Sequence, residues 1–393
     1  MRILIYCQHV WGVGHLFRIR EICRELARHD LVLVTGGPKV EVPLPNHVRQ
    51  FRLPTLQADT SGKLYSDDGR PAKQIWPERI DRLTNLFRRE APDTFLIELY
   101  PLGRTAFRRE LDPILTARHE GRLPPCRVYC SVRDILVEKS DPQAYTRRVR
   151  ASLNRWFDAL LVHADPAMIR LEETFPNLAG INIPVVYTGY VAPPPTPPTD
   201  RAAFRRHAGL TTGDKLVVAS AGGGKSGYPL LKTVLAAHAL LADRARTKIV
   251  VFTGPFLDAR RLDALKTAAG PEVMVRRFAG DFRSWLAAAD LSISMAGYNT
   301  CMNLLTARLP ALVWPFNGDR EQPLRAARLA ERGWVSVLKA ADLDPARLAA
   351  RMQTALAAPS RPRGPVDLGG AVRTARYIEA HSRSRLAGCG GGI

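Results

Sequence analysis

The chain has 393 residues, 46% hydrophobic and 24% charged, with a formal net charge of +20. That length accommodates two domains with cores of their own, the composition is that of a globular protein, and no apolar run reaches the ~18–20 residues of a membrane span. Six cysteines with no C-x-x-C pair argue against a disulfide framework or a zinc site and suit a reducing cytoplasm. The N-terminus is too short in apolar character for a signal peptide, and residues 2–6 read instead as a buried strand. The loop Cys7 to Gly14 leads into a helix with Leu16, Ile19, Ile22, Cys23 and Leu26 on one face. Residues 31–35 form the next strand, completing a βαβ unit. Residues 38–75 show no helical period and predict a long functional loop or lid. A helix follows at about 76–89, then strands at 94–99, 127–132, 159–163 and 184–188.

Residues 191–199 hold five prolines in nine positions and predict a stiff linker. A second alternating series follows, with strands at 215–219, 248–253, 273–278, 290–294, 311–314 and 334–338 and helices between them. The expected organisation is a Rossmann-like domain over 1–190, a linker over 191–201 and a second Rossmann-like domain over 202–365. A helix over 366–387 would pack back on the first domain, and 388–393 would be a disordered tail. Both domains are α/β with mainly parallel sheets.

Split at residue 195, the two halves carry +6 and +14. Solvated arginines on helix faces, anionic lipid headgroups or a phosphorylated substrate each account for this. Nucleic acid is not expected, because no basic cluster interleaves with exposed aromatics. Trp11, Trp76, Phe87 and nearby arginines are candidates for a lipid-facing surface.

Four clusters carry chemistry. Gly12-Val13-Gly14-His15 lies between the first strand and the first helix. It falls short of a G-x-G-x-x-G fingerprint because the third position is Phe17. His15 suits a general base, or a capping and packing role. Gly222-Gly223-Gly224-Lys225-Ser226 resembles a Walker A loop, but Ala219 stands where that motif has its first glycine, and strand 248–253 supplies no Walker B aspartate. Three glycines before a helix still present N–H groups to a phosphate. Gly297-Tyr298-Asn299-Thr300 offers the same at another helix start, or a plain N-cap by Asn299 or Thr300. Asp319, Glu321 and Gln322, beyond Pro315, suit sugar hydroxyls; Asp319 and Gln322 also fit a capping box. No D-x-D-like pair stands out, so no metal site is expected.

Taken together, these residues resemble the GT-B glycosyltransferases of family 28, which include the enzyme that makes lipid II, and most closely that enzyme's "predicted glycosyltransferase" relatives. The likeness covers nearly the whole chain and is strongest over 222–333. It implies two Rossmann-like domains facing a cleft, with a nucleotide diphosphate-sugar on the second and the acceptor on the first. By position, Gly222, Gly223, Gly224 and Ser226 match the family's donor glycine loop. Residues 278–282, with Phe278 and Phe282, match the segment that holds the base. Gly297, Asn299 and Thr300 match its phosphate turn, and Asp319, Glu321 and Gln322 its acidic-amide pair. Gly12, Gly14 and His15 match its first-domain loop. Asn303 stands where the family usually has a ribose-binding Glu, which removes charge assistance from that contact.

The resemblance implies an inverting, metal-independent transferase without a cofactor, using a UDP-linked donor as co-substrate and an acceptor hydroxyl on a lipid or glycan. Its expected setting is the cytoplasm or the inner membrane face, as a monomer or homodimer. His15 is the expected base, with Glu98 and Asp134 as further candidates. A nucleotide-sugar hydrolase and a non-catalytic nucleotide-sugar-binding protein are the alternatives.

Overall fold

A computed structural model describes every residue except 11, 41, 60–61, 176–177, 197–198, 225, 278–279, 359–362 and 383–393. The predicted tail lies outside the described residues. The chain divides into two compact units. One contains Met1–Val191 and the chain from Asp367 on; the other is Ala192–Val366.

In the first unit, β1 (Arg2–Tyr6), α1 (Gly14–Glu25) and β2 (Asp30–Thr35) form the expected βαβ start. The stretch predicted as a loop is partly ordered into β3 (Val48–Arg52) and a small antiparallel pair, β4 (Gln57–Ala58) with β5 (Leu64–Tyr65). β3 escapes sequence reading because it is an edge strand on which Arg49, Gln50 and Arg52 are exposed. Next come α2 (Ala72–Glu90), β6 (Thr94–Glu98), α3 (Arg108–His119), β7 (Arg127–Arg133), α4 (Pro142–Trp156), β8 (Ala159–His163) and β9 (Val185–Tyr187). The seven-stranded parallel sheet runs β3-β2-β1-β6-β7-β8-β9. Its central strands are buried on both faces, which is why they read as unbroken apolar runs.

Trp76 and Phe87 are core residues at 6% and 0% exposure. They pack edge-on against Phe107 and Phe95 respectively, so neither belongs to a lipid-facing surface; Trp11 lies outside the described residues. A buried cluster ties α2 and α3 to the sheet: Arg79 donates twice to Glu110 at 2.7 Å, and the Tyr6 hydroxyl donates to the same carboxylate.

The second unit holds α5 (Thr199–His207), β10 (Lys215–Ser220), α6 (Tyr228–Ala239), β11 (Thr247–Phe252), α7 (Ala259–Ala268), β12 (Val273–Arg276), α8 (Phe282–Ala288) and β13 (Leu291–Met295). It closes with α9 (Tyr298–Ala307), β14 (Ala311–Trp314), α10 (Glu321–Glu331), β15 (Ser336–Val337) and α11 (Pro345–Ala357). Its parallel sheet runs β12-β11-β10-β13-β14-β15, reversing direction at β10/β13. Ligands bind at such switch points, beyond the strands' carboxyl ends.

The last helix, α12 (Gly370–Ser382), belongs to the first unit and lies on α1. Glu379 meets His29 at 2.8 Å, Tyr377 packs edge-on to Tyr129, and the Ser382 hydroxyl lies 2.7 Å from that of Thr94. Among the described residues, five cysteines are free and buried, and no helix is long and apolar enough to cross a membrane.

Candidate active site

In the first unit the sheet order puts β1 beside β6, so the loop after β1 and the end of β6 meet. Val13 is the N-cap of α1 and makes no side-chain cap bond. Gly12 precedes it, and a Cβ there would touch nothing within 4 Å, so this backbone is open to a close approach. Gly14 begins α1. His15 sits in the first turn, 13% exposed at its side chain, with Nδ1 2.6 Å from Glu98 Oε1. Arg18, one helical turn on, donates to the same oxygen.

Glu98 is fully buried. Its burial favours the neutral acid, but His15 and Arg18 outweigh that and hold its pKa down at about 2. Burial, followed by the nearby charge of Arg104, lowers His15 to about 3 against the opposing pull of Glu98. At neutral pH the histidine is therefore neutral and the glutamate ionised. A carboxylate can only accept, so Nδ1 carries the proton and Nε2 keeps its lone pair.

Glu98, with 0% of its side chain exposed, meets both His15 and Arg18, and Asp134 is 0% exposed, with a carboxylate oxygen accepting the Ile135 amide at 2.9 Å, so neither carboxylate is open to solvent as His15 is. Arg18 and Arg104 were not anticipated. Arg18 carried a signal, because it stands three residues after His15 on the same helix face. Arg104 did not: it reaches the site through a tight segment in which Leu99 and Arg104 both adopt left-handed backbone, at φ 67° and 54°. Non-glycine residues hold that conformation only where the surroundings enforce it.

In the second unit the glycine loop after β10 and the turn after β11 interlock. Gly222, Gly224 and Gly254 have φ of 61°, 99° and 81°. A Cβ on Gly254 would lie 2.3 Å from the Gly222 carbonyl oxygen, and one on Gly224 2.6 Å from that of Thr253. Phe256 N donates to the Gly223 carbonyl at 3.1 Å, closing the contact. Gly254→Ala combines forbidden space with disfavoured backbone, each on the order of 1–3 kcal/mol. The expected outcome is a melting temperature several degrees lower and weaker nucleotide binding, read by thermal shift with and without UDP. Ser226 follows this loop and is half-buried; Lys225 lies outside the described residues.

Because β10 pairs with β13, this loop lies beside the start of α9. A Cβ on Gly222 would sit 3.7 Å from the Thr300 hydroxyl oxygen. The N-cap of α9 is Gly297, with no side-chain cap bond, so the Asn299 or Thr300 capping expectation is not met. Tyr298 is buried under Arg325, whose guanidinium lies 5.4 Å from its ring centre. Asn303 lies half-buried farther along α9.

Of the capping box expected at Asp319 and Gln322, the Asp319 half is present, since its carboxylate accepts the Glu321 amide as a cap does, and the Gln322 half is corrected. The residue before α10 is Arg320, whose side chain makes no cap bond. Gln322 Oε1 instead accepts the amides of Ala296 and Phe316, both at 3.1 Å, tying the ends of β13 and β14 together. Its amide group remains as a donor. Asp319 accepts the Glu321 amide at 2.9 Å. Glu321 pairs at 3.1 Å with Arg325, which is 0% exposed and donates to the Ala296 carbonyl. Sequence reasoning missed Arg325, one turn after Glu321 on α10. Phe282 opens α8 and packs edge-on against Phe252; Phe278 lies outside the described residues. No group of three His, Cys, Asp or Glu residues suited to a metal comes together among the described residues.

Residues 217–364 match the profile of the glycosyltransferase family 28 C-terminal domain. The UDP-N-acetylglucosamine–N-acetylmuramyl-(pentapeptide) pyrophosphoryl-undecaprenol N-acetylglucosamine transferase of Agrobacterium fabrum is 32% identical over 157 residues, which is 38% of this chain and 40% of that protein. The match thus spans less than half of the curated relative's length. Among solved structures, the glycotransferase of kitacinnamycin aligns over 96% of this chain and 98% of its own, with a TM-score of 0.60 at 17% identity. The MurG protein of Acinetobacter baumannii aligns over 96% and 95%, with a TM-score of 0.54 at 14% identity. The family 28 resemblance read from the sequence and the GT-B fold are both borne out by these matches.

Proposed function

We propose that this chain is an inverting, metal-independent glycosyltransferase that moves a sugar from a UDP-linked donor to an acceptor hydroxyl. The observation that carries this reading is the interlocked pair of glycine turns beside the start of α9, whose N-cap is Gly297, within the residues that match the family 28 profile. Backbone N–H groups and the α9 dipole meet the charge on the leaving diphosphate, a role that calls for no metal. Asp319 and the free amide of Gln322 hold sugar hydroxyls, and Asn303 holds the ribose. The donor is a co-substrate, and no cofactor takes part.

His15 Nε2 removes the acceptor proton while Glu98 holds Nδ1–H. The acceptor oxygen bonds to the anomeric carbon, the bond to the diphosphate breaks, and the configuration inverts. The Agrobacterium relative is named for a UDP-N-acetylglucosamine donor and an undecaprenol-linked acceptor, which favours UDP and a lipid-borne hydroxyl here. The +20 charge suits an anionic membrane surface.

The test is UDP release from UDP-N-acetylglucosamine with and without lipid or glycan acceptors. Release that rises with acceptor is expected. Release at a rate no acceptor improves would make the chain a hydrolase, and tight binding without turnover would make it a nucleotide-sugar-binding protein.

A further inference from the structure

Ala296 follows β13 and is 0% exposed, so its peptide N–H and C=O both need partners inside the protein. Two side chains of α10 supply them. Gln322 Oε1 accepts the N–H and Arg325 Nη1 donates to the C=O, each at 3.1 Å. Arg325 also places its guanidinium 5.4 Å from the ring centre of Tyr298. It therefore holds the residues on both sides of Gly297, the N-cap of α9.

What orients Arg325 is Glu321, one turn earlier on the same helix. Arg325 Nη2 donates to Glu321 Oε1 at 3.1 Å, with side-chain exposures of 1% for the arginine and 11% for the glutamate. A buried ion pair adds little net stability over apolar residues of the same size, so stability is a poor reason for this one. Its geometry supplies another. The planar guanidinium fork directs one N–H to the carboxylate and another to the Ala296 carbonyl, which the point charge of a lysine does not reproduce.

We propose that Glu321 is not a sugar ligand but the counter-ion that aims Arg325, and that Arg325 is the positioning residue of the turn at Gly297–Thr300. The sugar contacts then fall to Asp319 and Gln322. The positioning of the turn stands on the contacts alone; its consequence for the donor rests on the transferase reading.

Calorimetry on the full chain with UDP and with UDP-N-acetylglucosamine separates the two roles. Arg325→Lys and Glu321→Gln should each weaken both ligands by the same factor, roughly tenfold, the scale of one hydrogen bond to a charged group. A sugar-holding carboxylate would instead leave UDP untouched and weaken only the sugar nucleotide. The double variant Glu321→Leu with Arg325→Met removes both charges together, a replacement that buried pairs tolerate, and it covers the case of a single variant that does not fold. Shown to be folded by circular dichroism, it should still bind both ligands weakly. Hydrogen exchange without ligand reads the turn itself. The Ala296 amide, and the Cys301 amide that donates to the Gly297 carbonyl at 3.0 Å, should exchange faster in each variant. Weakening of UDP-N-acetylglucosamine alone, parental binding by the folded double variant, or unchanged exchange at both amides overturns the proposal. A parent that binds neither nucleotide overturns the transferase reading instead, and the exchange result then decides the positioning role.

Discussion

A His15→Ala variant is expected to lose sugar transfer by about a hundredfold to ten-thousandfold, the range for removal of a positioned base, while binding UDP as the parent does. The split follows from geometry, since His15 belongs to the first unit and every assigned donor residue to the second. Steady-state kinetics and calorimetry on one preparation check it, and near-parental turnover would remove His15 from the mechanism. The pH profile carries a second signature. With its pKa lowered to about 3, His15 stays neutral well below the usual imidazole range, so kcat/KM should show no His15 titration between pH 8 and 5. A solvent-exposed histidine would produce a falling limb near 6.5.

The same lowering has a stability consequence of fixed sign. Above pH 6.5 His15 is neutral in both the folded and the unfolded chain and contributes nothing to the pH dependence. As pH falls from about 6.5 toward 3, the unfolded chain takes up a proton that the folded one refuses, so stability declines. Glu98 acts in the same direction lower down. Its folded pKa of about 2 lies below the ordinary 4.5, so its contribution is present above 4.5 and is lost as pH drops toward 2.

The second large effect is expected at Glu98. Glu98→Gln keeps the shape but removes the charge that Arg18 and His15 share at a site with 0% side-chain exposure. Losing one member of a buried ion pair typically costs about 3–5 kcal/mol, so the melting temperature should fall sharply. Transfer should fall as well, because the amide no longer selects the Nδ1–H tautomer. Chemical denaturation measures the first effect and kinetics below the melting transition the second. A stable, fully active Glu98→Gln enzyme would mean that the pair is only an accident of packing. Glu98→Asp, which keeps the charge on a shorter arm, should recover part of both losses.

The legible parts of this molecule are those written in short stretches. Apolar runs such as 31–35 and 159–163 announced buried parallel strands, because residues buried on both faces need no alternation. Gly222–Gly224 and Gly297 announced two backbone-lined turns, and their expected closeness follows from β10 pairing with β13. What stayed hidden depends on residues far apart in the chain. Glu98 looked like one more strand-end carboxylate until β6 was found beside β1, with Arg18 and His15 over its oxygen. Gly254 follows the predicted strand 248–253 without any signal of its own, and its missing Cβ proves necessary only once β11 is set against β10. Gln322 looked like a local cap, yet its oxygen serves Ala296 and Phe316 on two neighbouring strand ends. β3 was invisible for the opposite reason: a half-exposed edge strand has no apolar run to show.

The central claim is that the second unit binds a nucleotide diphosphate-sugar at Gly222–Gly224, Gly254 and Gly297–Thr300. Calorimetric titration with UDP, GDP, dTDP and their sugars tests it most directly. Saturable binding is expected, strongest for UDP and its sugars, and greatly weakened in Gly254→Ala. No binding of any nucleotide, or binding that Gly254→Ala leaves intact, would contradict it.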